Sequence, residues 1–99
     1  MKTLSTLLQK SKNLVITGST DIDISEVVLD SRKVVPGCLY IAFDGTVTDG
    51  HDYIESAIKA GAIAVLCAKK EYVNDTATFI ISEEVRTTAG ELVKAFFDA

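Results

Sequence analysis

Two uninterrupted apolar runs of strand length, at residues 38–43 and 62–67, constrain the fold more than any other feature. Between them, apolar residues recur at the spacing of one helix face: Tyr53, Ile54, Ala57 and Ile58. Strands buried on both faces are typical of parallel sheets, so the pattern predicts a right-handed strand–helix–strand crossover. We expect the helix over residues 52–60, capped by Asp49 or Asp52 and ended by Gly61.

A tight turn is predicted immediately before the first apolar run. Pro36 presets φ at the second position of a β-turn, and Gly37 accepts the positive φ that the third position of a type II turn requires. Polar loops flank the strand that follows, at residues 30–32 and 45–50. An extended strand of six residues would hold these loops about 20 Å apart. Whether they line one pocket depends on how the first loop folds back.

The remaining elements complete an α/β order. Thr3 or Ser5 is expected to cap a first helix, and Ser82 is expected to cap the last one. Strands are expected at residues 13–17 and 77–81, and a half-exposed strand or extended segment at residues 21–25 is expected to continue as a buried strand over residues 26–29. The sequence therefore predicts an α/β fold: one small domain of 99 residues with a mostly parallel sheet flanked by helices.

The composition argues against nucleic-acid and membrane partners. The net charge is −4, no basic stripe is visible, and there is no Trp among the few aromatic residues. No apolar run approaches the roughly 18 residues of a membrane span. Cys38 and Cys67 lie inside the two apolar runs, which favours buried, reduced thiols in a cytoplasmic protein. A disulfide or a metal pair is the alternative.

No catalytic set or metal site is predicted. His51 is the only histidine, and a histidine at a helix start is more often a capping or packing residue than a general base. The carboxylates crowded around it belong to Asp44, Asp49 and Asp52. Such a group is usually a solvated loop.

Gly45 and Gly50 have the spacing of the glycines in a P-loop, but His51 and Asp52 follow where that loop needs Lys and Ser or Thr. We therefore expect no ATP site. Glycine backbone and threonine hydroxyls at a helix start can still bind a polar ligand or one phosphate, with Arg32 as the best-placed cation. The alternatives are a salt bridge from Arg32 to Asp30 and a plain turn hydroxyl for Ser31.

The stretch from residue 29 to residue 65 resembles the N-terminal domain of the Mur ligases of peptidoglycan synthesis. The matching pieces, in chain order, are Leu-Asp-Ser-Arg at 29–32, Pro-Gly at 36–37 before residues 39–42, Gly45 with residues 49–54, and Ala57 with residues 61–65. In that family the domain holds the UDP part of a UDP-MurNAc-peptide. A central domain binds ATP and a C-terminal domain binds the incoming amino acid, which is joined through an acyl phosphate.

The resemblance implies that residues 1–99 are the substrate-binding domain of a ligase, inactive alone and without a cofactor of its own. ATP and Mg²⁺ are expected for the full-length enzyme. The implied partners are the missing central and C-terminal domains and UDP-MurNAc-L-Ala-D-Glu, the dipeptide substrate that receives a third amino acid, lysine or diaminopimelate. Alternatives are the ligase that adds D-Ala-D-Ala and a standalone nucleotide-sugar-binding or interaction module.

The resemblance also implies the site residues. The UDP contacts fall on two stretches: Leu29 and Ser31, then Thr46, Val47 and Thr48. Thr46 stands where the family often has His or Lys. Possible supporting residues surround these contacts: Asp30, Arg32, Gly45, Asp49 and His51.

Overall fold

The structure, a computed structural model, describes residues 2–44 and 49–98. The strands are β1 (Lys2–Thr3), β2 (Val15–Thr17), β3 (Asp23–Ile24), β4 (Val27–Val28), β5 (Leu39–Ile41), β6 (Ala64–Cys67) and β7 (Thr78–Ile81). The helices are α1 (Leu4–Leu7), α2 (Ile54–Lys59) and α3 (Val85–Phe97). Short 3₁₀ helices occupy Ser31–Lys33, Gly50–Tyr53 and Lys70–Tyr72.

The main sheet has five strands in the order β2-β7-β6-β5-β4. The four strands from β4 to β7 run parallel, and β2 joins the edge beside β7 antiparallel to it. Tyr40 of β5 lies opposite Val28 of β4 on one side and Val65 of β6 on the other. The predicted α/β fold with a mostly parallel sheet is confirmed.

Alternate residues of the central strands face opposite sides of the sheet, although the runs are apolar throughout. In β5, Leu39 and Ile41 pack in a core with α1 and α3, whereas Tyr40 packs in a second core with α2. The side chains of β5 are all buried. Three layers result, with α2 on one face of the sheet and α1 and α3 on the other.

Strands are present in both predicted parts, 21–25 and 26–29, but the prediction that the second continues the first is wrong. β3 pairs antiparallel with β1 in a separate two-stranded sheet, and only β4 joins the main sheet. Ser25 separates the two because it is tied to the turn before β5. Its N–H donates to the carbonyl of Gly37 at 2.9 Å, and its hydroxyl donates to the carbonyl of Pro36 at 2.8 Å.

The predicted helices are present, with differences at their starts. Thr3 precedes α1 but makes no side-chain cap. Asp49 caps the 3₁₀ helix that leads into α2, so the α-helix itself begins at Ile54. The prediction for Ser82 is wrong, since α3 begins at Val85 and the Ser82 hydroxyl accepts from the N–H of Glu84 at 3.0 Å.

The predicted turn is a type II turn. Gly37 has a φ of 81°, and the N–H of Cys38 donates to the carbonyl of Val35 at 3.2 Å. The turn packs on the end of α2, where the N–H of Gly37 donates to the carbonyl of Gly61 at 2.9 Å. A Cβ on Gly61 would lie 2.7 Å from the Cα of Pro36. Gly37 and Gly61 therefore allow the starts of β5 and β6 to lie close to each other.

We predict that Gly37→Val lowers the free energy of unfolding by about 1–3 kcal/mol, because a β-branched residue resists a positive φ. Urea unfolding measures the change. Gly90→Ala in α3 is the matched control, since a Cβ there meets no heavy atom within 4 Å. Removing that helical glycine should stabilise the chain by up to about 1 kcal/mol. An unchanged unfolding midpoint for Gly37→Val would contradict the turn assignment.

Candidate functional site

The two polar loops leave the sheet at the same edge. β4 and β5 are parallel, with Val28 opposite Tyr40, so the chain leaves both strands in the same direction. We expected the two loops to lie at opposite ends of β5, a strand length apart. That expectation is wrong, because β4 pairs alongside β5 and the first loop follows the end of β4. Open α/β sheets bind ligands at this edge, outside the carboxyl ends of the strands.

A cleft of about 570 Å³ lies between the first loop and the residues on either side of positions 45–48. It is lined by Leu29, Asp30, Ser31, Arg32, Tyr40, Phe43, Gly50 and Tyr53. Apolar surface is available to a ligand there, since Leu29 is 51% and Tyr53 41% exposed. The structure thus brings the predicted residues of the first loop to one cleft.

Asp30 and Arg32 brace the first wall of the cleft. The Asp30 carboxylate accepts from Nε and Nη2 of Arg32 at 3.1 and 2.8 Å, and from the Arg32 backbone N–H at 2.9 Å. These bonds hold the pKa of Asp30 down at about 2 and raise the pKa of Arg32. The salt bridge considered for Arg32 is present. The hydroxyl of Ser31 has no hydrogen bond to the residues that the structure describes.

Gly50 and Tyr40 form the opposite wall. The N–H of Gly50 donates to the carbonyl of Phe43 at 2.8 Å, and a Cβ on Gly50 would lie 2.8 Å from the Phe43 nitrogen. The Tyr40 hydroxyl donates to the carbonyl of Gly50 at 2.9 Å, and burial raises the pKa of Tyr40 to about 12. The chain on both sides of residues 45–48 is therefore held in place.

Four of the predicted site residues lie outside the described residues: Gly45, Thr46, Val47 and Thr48. Three residues that line the cleft are not among the predicted site residues: Tyr40, Phe43 and Tyr53; Gly50, which also lines it, belongs to the predicted second loop. Each of them lies in β5 or close to the ends of the second loop. Their nearness to the polar loops in the chain is the signal that could have found them.

His51 is buried and serves as a structural link. Its Nε2 accepts from the backbone N–H of Ala68 at 3.1 Å, so Nδ1 carries the proton of the neutral ring. That Nδ1–H lies 2.8 Å from Oδ1 of Asp49 and 3.3 Å from Oδ1 of Asp44. Nε2 joins the 3₁₀ helix before α2 to the end of β6, and Nδ1 bonds to Asp49 beside it, in agreement with the packing role predicted for this histidine.

Lys69, which was not among the predicted site residues, completes this network. Its ammonium group lies 2.8 Å from Oδ2 of Asp49 and 3.4 Å from Oδ1 of Asp44. The bond to Lys69, with those to His51, holds the pKa of Asp49 well below its usual range, and the pKa of Lys69 is raised. Asp44, Asp49 and His51 are close enough to bind one metal ion. The Lys69 ammonium group and the proton on His51 Nδ1 already bond to these carboxylates, so the cluster is an internal ion-pair network.

Comparisons with known proteins agree on one family. Residues 23–96 match the family model described as "Mur ligase family, catalytic domain". The chain is similar to the UDP-N-acetylmuramoyl-L-alanyl-D-glutamate–2,6-diaminopimelate ligases of Alkaliphilus metalliredigens and Chlorobaculum tepidum. The first is 36% identical over 95% of this chain and 19% of the relative. The second is 43% identical over 75% of this chain and 15% of the relative.

A solved structure has the same fold. It is the UDP-N-acetylmuramoylalanyl-D-glutamyl-2,6-diaminopimelate–D-alanyl-D-alanyl ligase of Acinetobacter baumannii, with a TM-score of 0.72 and 18% identity. The match covers 94% of this chain and 21% of that one. The chain thus spans about a fifth or less of the length of these proteins. No helix of the described residues is long and apolar enough to cross a membrane.

We predict that Asp49→Asn destabilises the chain at pH 7 and makes its free energy of unfolding depend less on pH below pH 5. Because folding lowers the pKa of Asp49, its carboxylate is protonated at a higher pH in the unfolded chain than in the folded chain as the pH falls. The stabilisation is therefore present above about pH 4 and is lost as the pH falls further. Urea unfolding from pH 7 to pH 2 measures the profile.

Asp52→Asn is the control for that experiment. It removes the same charge three residues further along, inside the 3₁₀ helix that Asp49 caps, but the Asp52 side chain makes no hydrogen bond or ion pair with the residues from 2–44 and 49–98. Its profile should run parallel to that of the wild type. The same parallel profile for Asp49→Asn would contradict the role given to the ion pair with Lys69.

Proposed function

The chain belongs to the Mur ligase family, and we propose that it is the domain of such a ligase that recognises the uridine diphosphate part of a UDP-MurNAc-peptide. One observation carries the proposal. The stretch from Leu29 to Arg32, which carries the resemblance to the family, lines a cleft at the carboxyl edge of the parallel sheet. Ligands of open α/β sheets bind at that edge.

The size and lining of the cleft suit a nucleotide. Its volume of about 570 Å³ falls within the usual range for small-molecule sites. A uracil ring has a flat apolar face and a polar edge. The exposed side chains of Leu29 and Tyr53 provide apolar surface for the face. The hydroxyl of Ser31 can donate to or accept from the edge or the ribose.

In the proposed site, some residues contact the ligand and others hold the contacting residues in place. Leu29 and Ser31 contact the uridine, and residues 46–48 complete the binding surface from the second loop. Asp30 and Arg32 keep Ser31 in place through their ion pair. Asp49 and His51 hold the chain just after the second loop, together with Lys69. In this assignment the chain binds and orients the substrate and contributes no catalytic residue.

The substrate that we propose is UDP-MurNAc-L-Ala-D-Glu, with diaminopimelate as the amino acid added. The names of the relatives at 36% and 43% identity support this choice. A ligase that adds D-Ala-D-Ala is the second candidate. The solved structure of such a ligase has the same fold, but its 18% identity does not favour one substrate over the other.

The rest of the reaction would belong to other parts of a longer protein. ATP, with Mg²⁺, would activate the carboxylate of the bound peptide for attack by the incoming amine, and neither is assigned to this chain. Cys38 and Cys67 are free and buried, and burial raises the pKa of both thiols. Reduced thiols of this kind support a cytoplasmic location.

We predict that Ser31→Ala weakens UDP binding about three- to tenfold, because it removes one hydrogen bond from the ligand. Calorimetric or NMR titration measures the affinity, and the unfolding midpoint should stay unchanged. Ser56→Ala, at an exposed position of α2, is the matched control. ATP with Mg²⁺ should not bind.

Two results would overturn this proposal. The first is a wild-type chain that does not bind UDP. The second is an affinity for ATP equal to that for UDP. An unchanged UDP affinity of Ser31→Ala would remove Ser31 from the site.

A further inference from the structure

β2 is the most exposed strand of the main sheet and forms one of its edges. The side chains of its three residues are all exposed, Val15 at 65% and Ile16 at 40%. β7 pairs with one side of β2, and no other strand of residues 2–44 and 49–98 pairs with the outer side. Unpaired backbone N–H and carbonyl groups on a sheet edge are a template for another strand.

The sequence of this edge lacks the features that usually prevent two sheets from joining. An edge strand is commonly protected by a charged side chain, a proline or a bulge. Residues 13–20 include no charged residue and no proline, and β2 pairs with β7 without a bulge. Val15 lies opposite Ile81 and Ile16 opposite Ile80, so exposed aliphatic side chains lie on both faces of the edge. A strand added here would cover apolar surface on each face.

A second copy of β2 fits this edge. In an antiparallel pair centred on Ile16, the two Ile16 residues lie opposite each other, and Val15 of one copy lies opposite Thr17 of the other. All three residues are β-branched, and side chains of this class pack well against neighbours across a sheet. The strand is therefore complementary to itself.

The charged residues beside the strand favour the antiparallel arrangement. Lys10 and Lys12 precede β2 and Asp21 follows it, all with exposed side chains. Antiparallel pairing brings Lys12 of each copy towards Asp21 of the other, whereas parallel pairing would bring like charges together. Glu83 and Glu84 line a groove with the two lysines, but within the described part of the chain no carboxylate forms an ion pair with either lysine. The lysines are therefore available to the carboxylates of a second copy.

We propose that two copies of this chain associate through β2, antiparallel about a twofold axis, so that their five-stranded sheets become one continuous sheet. The contact is small because β2 has only three residues, so the dimer forms weakly and its population depends on the chain concentration. β4 is the edge opposite to β2, and the proposed uridine site lies after β4 and β5. Association through β2 leaves that site open, so this inference does not depend on the proposed function.

Sedimentation equilibrium measures the association over micromolar to millimolar concentrations. The apparent mass of the wild type should rise from that of the 10.6 kDa chain towards twice this value. Ile16→Lys should weaken the association about tenfold, because it removes an apolar pair from the centre of the contact and puts two positive charges in its place. Val35→Lys is the matched control, since Val35 is a β-branched residue of nearly the same exposure, 41%, in the turn before β5. It should associate like the wild type.

A charge exchange beside the strand tests the arrangement without changing β2, and it decides alone should Ile16→Lys fail to fold. Lys12→Glu and Asp21→Lys should each associate about threefold or more weakly than the wild type, because each brings like charges together at both ends of the pair. An equimolar mixture of the two variants should recover the association, since opposite charges then meet at both ends. High salt should reduce these differences.

Four results would overturn the inference. A wild type that stays monomeric over the whole range would leave β2 as an edge for a strand of a different protein. A folded Ile16→Lys chain that associates like the wild type would exclude β2 from the contact. Equal weakening by Val35→Lys would place the contact elsewhere on the chain. A mixture of Lys12→Glu and Asp21→Lys that associates no better than either variant alone would exclude the antiparallel arrangement.

Discussion

The parallel pairing of β4 with β5 is the constraint on which the rest of this structure depends. Because Val28 lies opposite Tyr40, the loops that follow the two strands leave the sheet side by side. Ser25 fixes this arrangement through its bonds to the turn at Pro36 and Gly37. A cleft at the carboxyl edge follows from the topology, and each of its walls is then braced by its own ion pair or hydrogen bond.

The parts of the fold that depend on local patterns were predictable. The apolar runs gave β5 and β6, and Pro36 with Gly37 gave a turn whose φ values follow from the chemistry of those two residues. For residues 21–29, the separation into two strands of different sheets was not predictable. Their alternating pattern is the same in both arrangements, and the interruption at Ser25 comes from bonds to residues more than ten positions away.

The candidate site divides in the same way, into residues that local sequence could predict and residues that it could not. Leu29, Asp30, Ser31 and Arg32 were predicted because they form one contiguous motif, and the structure places them in one cleft. Lys69 was missed because it lies far along the chain and reaches this edge only when β6 is added to the sheet. A positive charge has no sequence signal of its own, and its role depends on whether a carboxylate neutralises it in the folded chain.

The central claim is that a uridine diphosphate occupies the cleft formed after β4 and β5. An amide NMR titration of the chain with UDP-MurNAc-L-Ala-D-Glu, compared with UDP and with ATP, tests it most directly. The account predicts shifts for both uridine ligands at residues 29–32 and 46–48, with none for ATP. Shifts elsewhere in the chain, or the same response to ATP, would contradict it.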